Sequence, residues 1–290
     1  MALVVDHVTK EFKIRKGLKT STLVAVDDVS FTLEPGKTIA LVGESGSGKS
    51  TIAKMIMRLE APTKGTIEVD GISSLARGSK ATEYLHLVQM VYQDPFASLN
   101  PFHTIQHHLE RPLRIHDKVK SREEADKHVR ELLSRVNLEP ADNYATRQPH
   151  ELSGGQRQRV AIARALAPGA KYLVADEPVS MLDVSIRLSV LNLLARLQRE
   201  DNLGVLYITH DLATARHFSD EIMVLYKGRV VERGPSSEVI LNPQHKYTKL
   251  LLSAAPVPSN HGKLRDSVRE ELASGGEFDQ FGKSVLTETS

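Results

Sequence analysis

Gly43-Glu44-Ser45-Gly46-Ser47-Gly48-Lys49-Ser50 satisfies G-x-x-x-x-G-K-[ST] and stands between an apolar run, TIALVG, and a stretch of helical spacing, KSTIAKMIMRL. That strand, loop, helix setting is the one the pattern needs to hold a nucleoside triphosphate. The glycines let the backbone turn its N–H groups toward phosphate, and the helix start favours negative charge. Lys49 can reach the outer phosphates, and the Ser50 hydroxyl can ligate Mg²⁺. These eight residues, with Thr51 next to them, are the candidate ATP-binding set.

A second cluster is Tyr172-Leu173-Val174-Ala175-Asp176-Glu177, an apolar strand tipped by two acids. Asp176 suits a metal bridging the outer phosphates, and Glu177, one residue on, suits a general base for an attacking water. A third is Leu152-Ser153-Gly154-Gly155-Gln156, which precedes the helical stretch RQRVAIARALA and makes a second glycine-rich helix start. Its distance along the chain from Lys49 has a simple use. If the two loops face different ways, a head-to-tail pair sets the Ser153 loop of one subunit against ATP held by Lys49 of the other.

The elements around these loops are legible in outline. The first thirty or so residues alternate apolar and polar, which predicts a small antiparallel sheet. TIALVG, GTIEVDG, LVQMVYQ, KYLVADE, GVLYITH and EIMVLYKG read as strands, and VSIRLSVLNLLARLQRE as a long helix. Strands alternating with helices predict an α/β fold with a mostly parallel sheet. Between Pro101 and about Pro149 the composition turns to His, Arg, Glu and Leu at helical spacing, so a helical subdomain, about 101–168, is expected inside the core. Residues 256–290 are polar with a Gly-Gly pair and are expected to form a weakly ordered tail, with a short helix at most near 263–273; solvated disorder accounts for them more simply than a docking module.

Composition removes several function classes. With 40% hydrophobic and 26% charged residues in 290, the chain can bury a real core. The formal charge is +2 with no long basic run, which gives no push toward nucleic acid. There is no cysteine, so no disulfide and no thiolate-held metal or iron-sulphur cluster. No run approaches the roughly 20 apolar residues of a membrane span, and MALVVDHVTKEF lacks the form of a secretory signal. Any membrane role is expected to come through partners.

Together the phosphate loop, the acid-tipped strand and Leu152-Ser153-Gly154-Gly155-Gln156 resemble the ATP-binding cassette family over roughly residues 3–255. The resemblance implies a RecA-like phosphate-loop core with an N-terminal antiparallel β subdomain. It also extends to residues that look plain singly. Gln93, ending VQMVYQ, is similar to the family's glutamine loop, which implies a place among the catalytic and metal-site residues and a link to the membrane partner. Ser180-Met181-Leu182-Asp183 looks like its D-loop, with Met181 where Ala is commoner, and implies that Asp183 spans a dimer interface. His210, after GVLYIT, matches the switch histidine, which implies contact with the γ-phosphate. Read alone, Gln93 is a strand-end polar group, Asp183 an N-cap, and His210 a cap of the helix beginning at Asp211. Phe12 resembles the aromatic that stacks on adenine; an aromatic in a strand equally serves packing.

Within that family, Gln93-Asp94-Pro95-Phe96-Ala97-Ser98-Leu99-Asn100-Pro101 and Asn242-Pro243-Gln244-His245-Lys246-Tyr247-Thr248-Lys249-Leu250-Leu251 resemble ATPase subunits of dipeptide, oligopeptide and nickel importers. Glu177-Pro178-Val179-Ser180 is similar to the second of their paired ATPases. A C-terminal extension at about 234–255 is implied. So are a second ATPase subunit, identical or not, two transmembrane permease subunits, an extracytoplasmic solute-binding protein, and a peripheral place on the cytoplasmic face of the membrane. Members often carry C-terminal cysteines for an iron-sulphur cluster, which this chain lacks. The solute, whether peptide, oligosaccharide or a relative, is not written in such a subunit. The other readings are an exporter ATPase, which would share the catalytic residues, and a soluble cassette acting on DNA or the ribosome. The interval from Lys49 to Ser153 is too short for the coiled coil of chromosome-repair relatives.

Overall fold

The computed structural model describes residues 1–16, 19–254 and 286–287. Two long strands, β1 (Leu3–Lys16) and β2 (Lys19–Leu33), lead into β3 (Thr38–Val42), the phosphate loop and α1 (Lys49–Ile56). Next come β4 (Lys64–Val69), β5 (Ile72–Ser73), α2 (Ser79–Leu87), β6 (Val88–Val91) and α3 (Pro95–Ser98). A run without strands holds α4 (Ile105–Ile115), α5 (Arg122–Arg135), α6 (Ala141–Ala145) and α7 (Gly154–Leu166). The chain returns through β7 (Tyr172–Asp176), α8 (Val184–Glu200), β8 (Gly204–Thr209), α9 (Leu212–Phe218), β9 (Glu221–Tyr226), β10 (Arg229–Pro235), α10 (Ser236–Leu241) and α11 (Lys246–Ala254). A two-residue strand, β11 (Leu286–Thr287), pairs with β2. The rest of the expected tail, with the short helix near 263–273, lies outside the described residues.

Two sheets form. One is antiparallel in the order β11-β2-β1-β4-β5; the other runs β10-β9-β3-β8-β7-β6 and is parallel except for β10. Alternation along the buried strands sorts them into layers. Ile39 and Leu41 of β3 join a core with Val5, Phe31, Ile52 and Met55, beneath the antiparallel sheet and α1. Ala40 and Val42 face the opposite core, with Leu133, Ile162, Leu194 and Tyr207 from the helical side. Because all five β3 residues are buried, the strand has no solvent face. At about 1.5–3 kcal/mol for each large apolar side chain buried, a one-residue slip would be costly, and the loop after Val42 is fixed in place.

The sheets differ from the expectation in the edge strand β10, which no apolar run predicts, and in the pairing of one expected strand. GTIEVDG is indeed a strand, but it pairs antiparallel with β1, Ile67 opposite Val5, and belongs to the smaller sheet. Its Lys64–Thr66 end is exposed, unlike the core parallel strands. The helix over VSIRLSVLNLLARLQRE spans Val184–Glu200, as its spacing predicts.

Candidate ATP site

The parallel order explains how residues from positions 43 to 210 meet. β3, β8, β7 and β6 lie side by side, so their carboxyl ends open along one edge, where ligands bind in open α/β sheets. From that edge come the phosphate loop after β3, His210 after β8, Asp176 and Glu177 at the end of β7, and Gln93 after β6. A cleft of about 1010 Å³ is lined by Glu44, Ser45, Gly46, Gly48, Lys49, Ser50, Thr51, Gln93, Glu177 and His210, and also by Phe12 from β1.

The phosphate loop is shaped by sterics. Gly48 sits at φ +108°, and a Cβ there would lie 2.4 Å from the Ala25 carbonyl oxygen. A Cβ on Gly43 would lie 2.3 Å from the Leu225 carbonyl oxygen. Gly48 is the N-cap of α1 and brings no side-chain cap, so the first N–H groups of the helix have no side-chain acceptor and suit an anion. Lys49, 5% exposed, donates from Nζ to the Gly43 carbonyl at 2.6 Å and the Glu44 carbonyl at 2.8 Å. Burial lowers its pKa, opposed by Glu177, Asp176 and Glu44. A desolvated ammonium held by two carbonyls and, at 3.5 Å, by the Ser47 hydroxyl is ready to exchange them for phosphate oxygens.

Facing the loop, Ser50 donates from Oγ to Asp176 Oδ1 at 3.4 Å. Burial raises the Asp176 pKa, and the Ser50 hydrogen bond works against that rise. Two hard oxygens on adjacent elements fit Mg²⁺, which takes one or two protein oxygens and completes its shell with phosphate and water. Glu177 follows at φ +44°, a conformation uncommon outside glycine. Its N–H donates to the Ile208 carbonyl at 2.9 Å, which turns the side chain out of the strand register. Gln93 Nε2 then donates to Glu177 Oε2 at 3.1 Å, and His210 Nδ1 stands 3.3 Å from Oε1. The cap of α9 is Asp211, whose Oδ1 accepts from the Ala213 and Thr214 N–H groups; His210 is free of that duty.

The Ser153 loop lies elsewhere. Neither it nor Gly154, Gly155 or Gln156 lines the cleft. Ser153 caps α7 in a reciprocal box: its Oγ accepts from the Gln156 N–H at 3.3 Å, and its own N–H donates to Gln156 Oε1 at 2.9 Å. Gly155 faces Ile186 of α8, whose Cγ2 a Cβ would approach to 2.5 Å. Asp183 occupies the N-cap position of α8 yet makes no capping bond, and it is exposed. So the structure brings Gly43–Thr51, Gln93, Asp176, Glu177, His210 and Phe12 together, and it leaves Ser153–Gln156 and Asp183 at the surface or under other helices.

Comparison with known protein families settles what this arrangement belongs to. The family model described as "ABC transporter" matches residues 26–180. The chain belongs to the ABC transporter family. A second model, "Oligopeptide/dipeptide transporter, C-terminal region", matches residues 231–283 of this cassette, taking in the expected extension and much of the expected tail. The cassette is 46% identical over 281 residues to the oligopeptide transport ATP-binding protein AppF of Bacillus subtilis, covering 95% of this chain and 84% of that one. It is 46% identical over 269 residues to the dipeptide transport ATP-binding protein DppF of Haemophilus influenzae, covering 91% and 81%. Against the glutathione import ATP-binding protein GsiA of Pectobacterium atrosepticum it is 46% identical over 270 residues, 92% of this chain but 43% of that longer protein. Among solved structures it resembles the dimeric cassette MJ0796 in a post-hydrolysis state bound to ADP and Pi: TM-score 0.70, 32% identity, 81% of this chain and 98% of that one. This ABC ATPase binds ATP, and no helix among its described residues is long and apolar enough to cross a membrane.

Several residues of the cleft carry no motif. Leu23 and Ala25 of β2, Arg187 of α8, Asp211, Leu212 and Leu251 of α11 also line it. Leu23, Ala25 and Leu251 are apolar residues in regular elements and look like core; only the packing of β2 and α11 around the loop reveals them.

Proposed function

We propose that this cassette is the ATP-hydrolysing subunit of a membrane importer whose solute is a short peptide or a related small polymer such as an oligosaccharide. The observation that carries it is the convergence of Lys49, Ser50, Glu177, Gln93 and His210 on one cleft from which the Ser153 loop is absent, with Asp176 bonded to Ser50 beside it. A site complete in one chain would include its own glycine-lined cap. Here that loop does not line the cleft, which suits two ATPase subunits arranged head to tail, each closing the other's ATP. Asp183, exposed between Met181 at 54% and Val184 at 80% exposure, suits the seam of that pair.

In this reading Phe12 stacks on the adenine, the loop amides of Gly46–Thr51 cradle the phosphates, and Lys49 leaves the Gly43 and Glu44 carbonyls for the outer phosphate oxygens. Ser50, Asp176 and Gln93 hold Mg²⁺, which when bound neutralises charge developing on the phosphates. Glu177 accepts the proton of the attacking water as the new O–P bond forms and the bond to ADP breaks. Gln93 and His210 hold the carboxylate from its two oxygens. Ser153, Gly154, Gly155 and Gln156 of the opposite subunit supply donors to the γ-phosphate.

The remaining partners are two permease subunits, contacted through Gln93 and the helices between β6 and β7, and an extracytoplasmic solute-binding protein. The cassette then sits on the cytoplasmic face. The C-terminal match at 231–283 supports an importer over an exporter or a non-transport ATPase, and the names of the relatives support peptide-like solutes. Uptake of labelled di- to pentapeptides and of oligosaccharides by cells with and without the gene tests it. Loss of uptake of one such class, restored by the wild-type chain but not by Lys49→Ala, is expected. Unchanged uptake of both, with export of a solute lost instead, would contradict it.

A further inference from the structure

The C-terminal extension touches the phosphate loop itself. The Tyr247 hydroxyl, on the first turn of α11, accepts a hydrogen bond from the Glu44 N–H at 2.9 Å across 203 positions of sequence. Tyr247 is 1% exposed, and its ring packs on that of Tyr226, with centroids 4.3 Å apart. Tyr226 ends β9, the strand paired with β3, so the phenol is carried on the strand beside the loop. The approach to α11 is fixed as well: Glu232 of β10 accepts from the Gln244 N–H at 2.7 Å and the His245 N–H at 3.0 Å. One turn further along α11, Leu251 lines the ATP cleft.

Glu44 is therefore held on both sides, its N–H by Tyr247 and its carbonyl by Lys49 and, within the loop itself, by the Ser47 N–H at 3.2 Å. The two side-chain contacts, from Lys49 and Tyr247, differ in what ATP does to them. An ammonium needed by the phosphates must leave the carbonyl, whereas Tyr247 does not line the cleft the phosphates enter. Burial pushes the phenol pKa up to about 12, so it remains a neutral acceptor across the working pH range. A loop that loses one anchor as ligand arrives depends on the anchor that stays, because any fraction of loop outside the binding shape weakens apparent affinity in proportion.

We propose that Tyr247 is a positioning residue for ATP binding: acting through the Glu44 amide, it couples the C-terminal extension to the shape of the phosphate loop. The inference rests on reading the cleft as the ATP site, and it gives the extension a role inside the ATPase as well as outside it.

Tyr247→Phe keeps the ring and its stack on Tyr226 and removes the hydroxyl that accepts from Glu44. In the full chain, ATP binding by titration calorimetry is expected to weaken about threefold to tenfold, the span set by one net hydrogen bond. In the assembled transporter KM for ATP should rise by a similar factor with kcat held within about twofold, since the anchor acts before the chemical step. Equal ATP affinity in the variant and the wild type would overturn the proposal. So would a lowered thermal midpoint with unchanged affinity, the result of a tyrosine that only packs. A wild-type chain that binds no ATP would overturn the site reading and this inference together, which separates the two failures.

Discussion

His210 Nδ1 stands 3.3 Å from Glu177 Oε1, an approach made between the ends of two neighbouring parallel strands, β8 and β7. On the other oxygen of the same carboxylate the Gln93 amide donates at 3.1 Å. A carboxylate gripped at both oxygens is oriented, and an oriented base is what water attack requires.

Replacing Glu177 by Gln keeps the shape of the side chain, turns one of its two accepting oxygens into a donor, and removes its basicity. ATP affinity should stay within about threefold of wild type, while steady-state turnover of the assembled transporter falls by roughly 10²- to 10⁴-fold. Colorimetric phosphate release beside calorimetric binding checks both halves.

Asp176 supplies a pH signature. Burial raises its folded pKa above the usual carboxylate range, so between the unfolded and folded values the folded chain binds more protons than the unfolded one. The favourable contribution is present at low pH and is lost as pH rises through the raised folded value. Without nucleotide or Mg²⁺, Asp176→Asn should therefore melt above wild type at neutral pH, and the difference should shrink toward zero as pH falls below the ordinary carboxylate range. The same variant should lose Mg²⁺-dependent ATPase by at least about tenfold. Melting curves across pH, followed by activity at neutral pH, read both effects.

Gly48→Ala places a Cβ 2.4 Å from the Ala25 carbonyl oxygen at φ +108°. The left-handed conformation alone costs roughly 1–2 kcal/mol for a residue with a Cβ, and the clash adds to it. The expected outcome is a lower urea midpoint together with loss of measurable ATP binding. Gly46→Ala makes the contrast: it shares the positive φ, +82°, but nothing lies within 4 Å of its Cβ, so its loss of stability should be smaller.

Local signals carried much of this architecture. The helix Val184–Glu200 was legible because an unbroken apolar spacing of 3.6 runs between Asp183 and Asp201. The five-residue strand Thr38–Val42 was legible because it is apolar throughout and a glycine-rich turn ends it. Partner choice was less legible. GTIEVDG looks like any strand, and only the long β1, which offers a free edge opposite Leu3–Thr9, draws it out of the parallel sheet. β10 carries no such signal because Arg229–Pro235 is a half-exposed edge strand without a continuous apolar run. In the site, motifs marked the polar chemistry, while the bond from Glu44 to Tyr247 joins positions no local pattern relates.

In the head-to-tail pair proposed for this cassette, ATP bound in one subunit's cleft is capped by another subunit's Ser153. The chain has no cysteine, so Ser153→Cys introduces a single thiol at an exposed N-cap. In the Glu177→Gln background, assembled with its partner subunits, alkylation of that thiol should be rapid without nucleotide and slowed at least about tenfold with saturating MgATP. Mass analysis of this chain gives the modified fraction. Equal labelling with and without ATP, in a transporter shown to have bound it, would rule out a Ser153 cap on the partner's ATP.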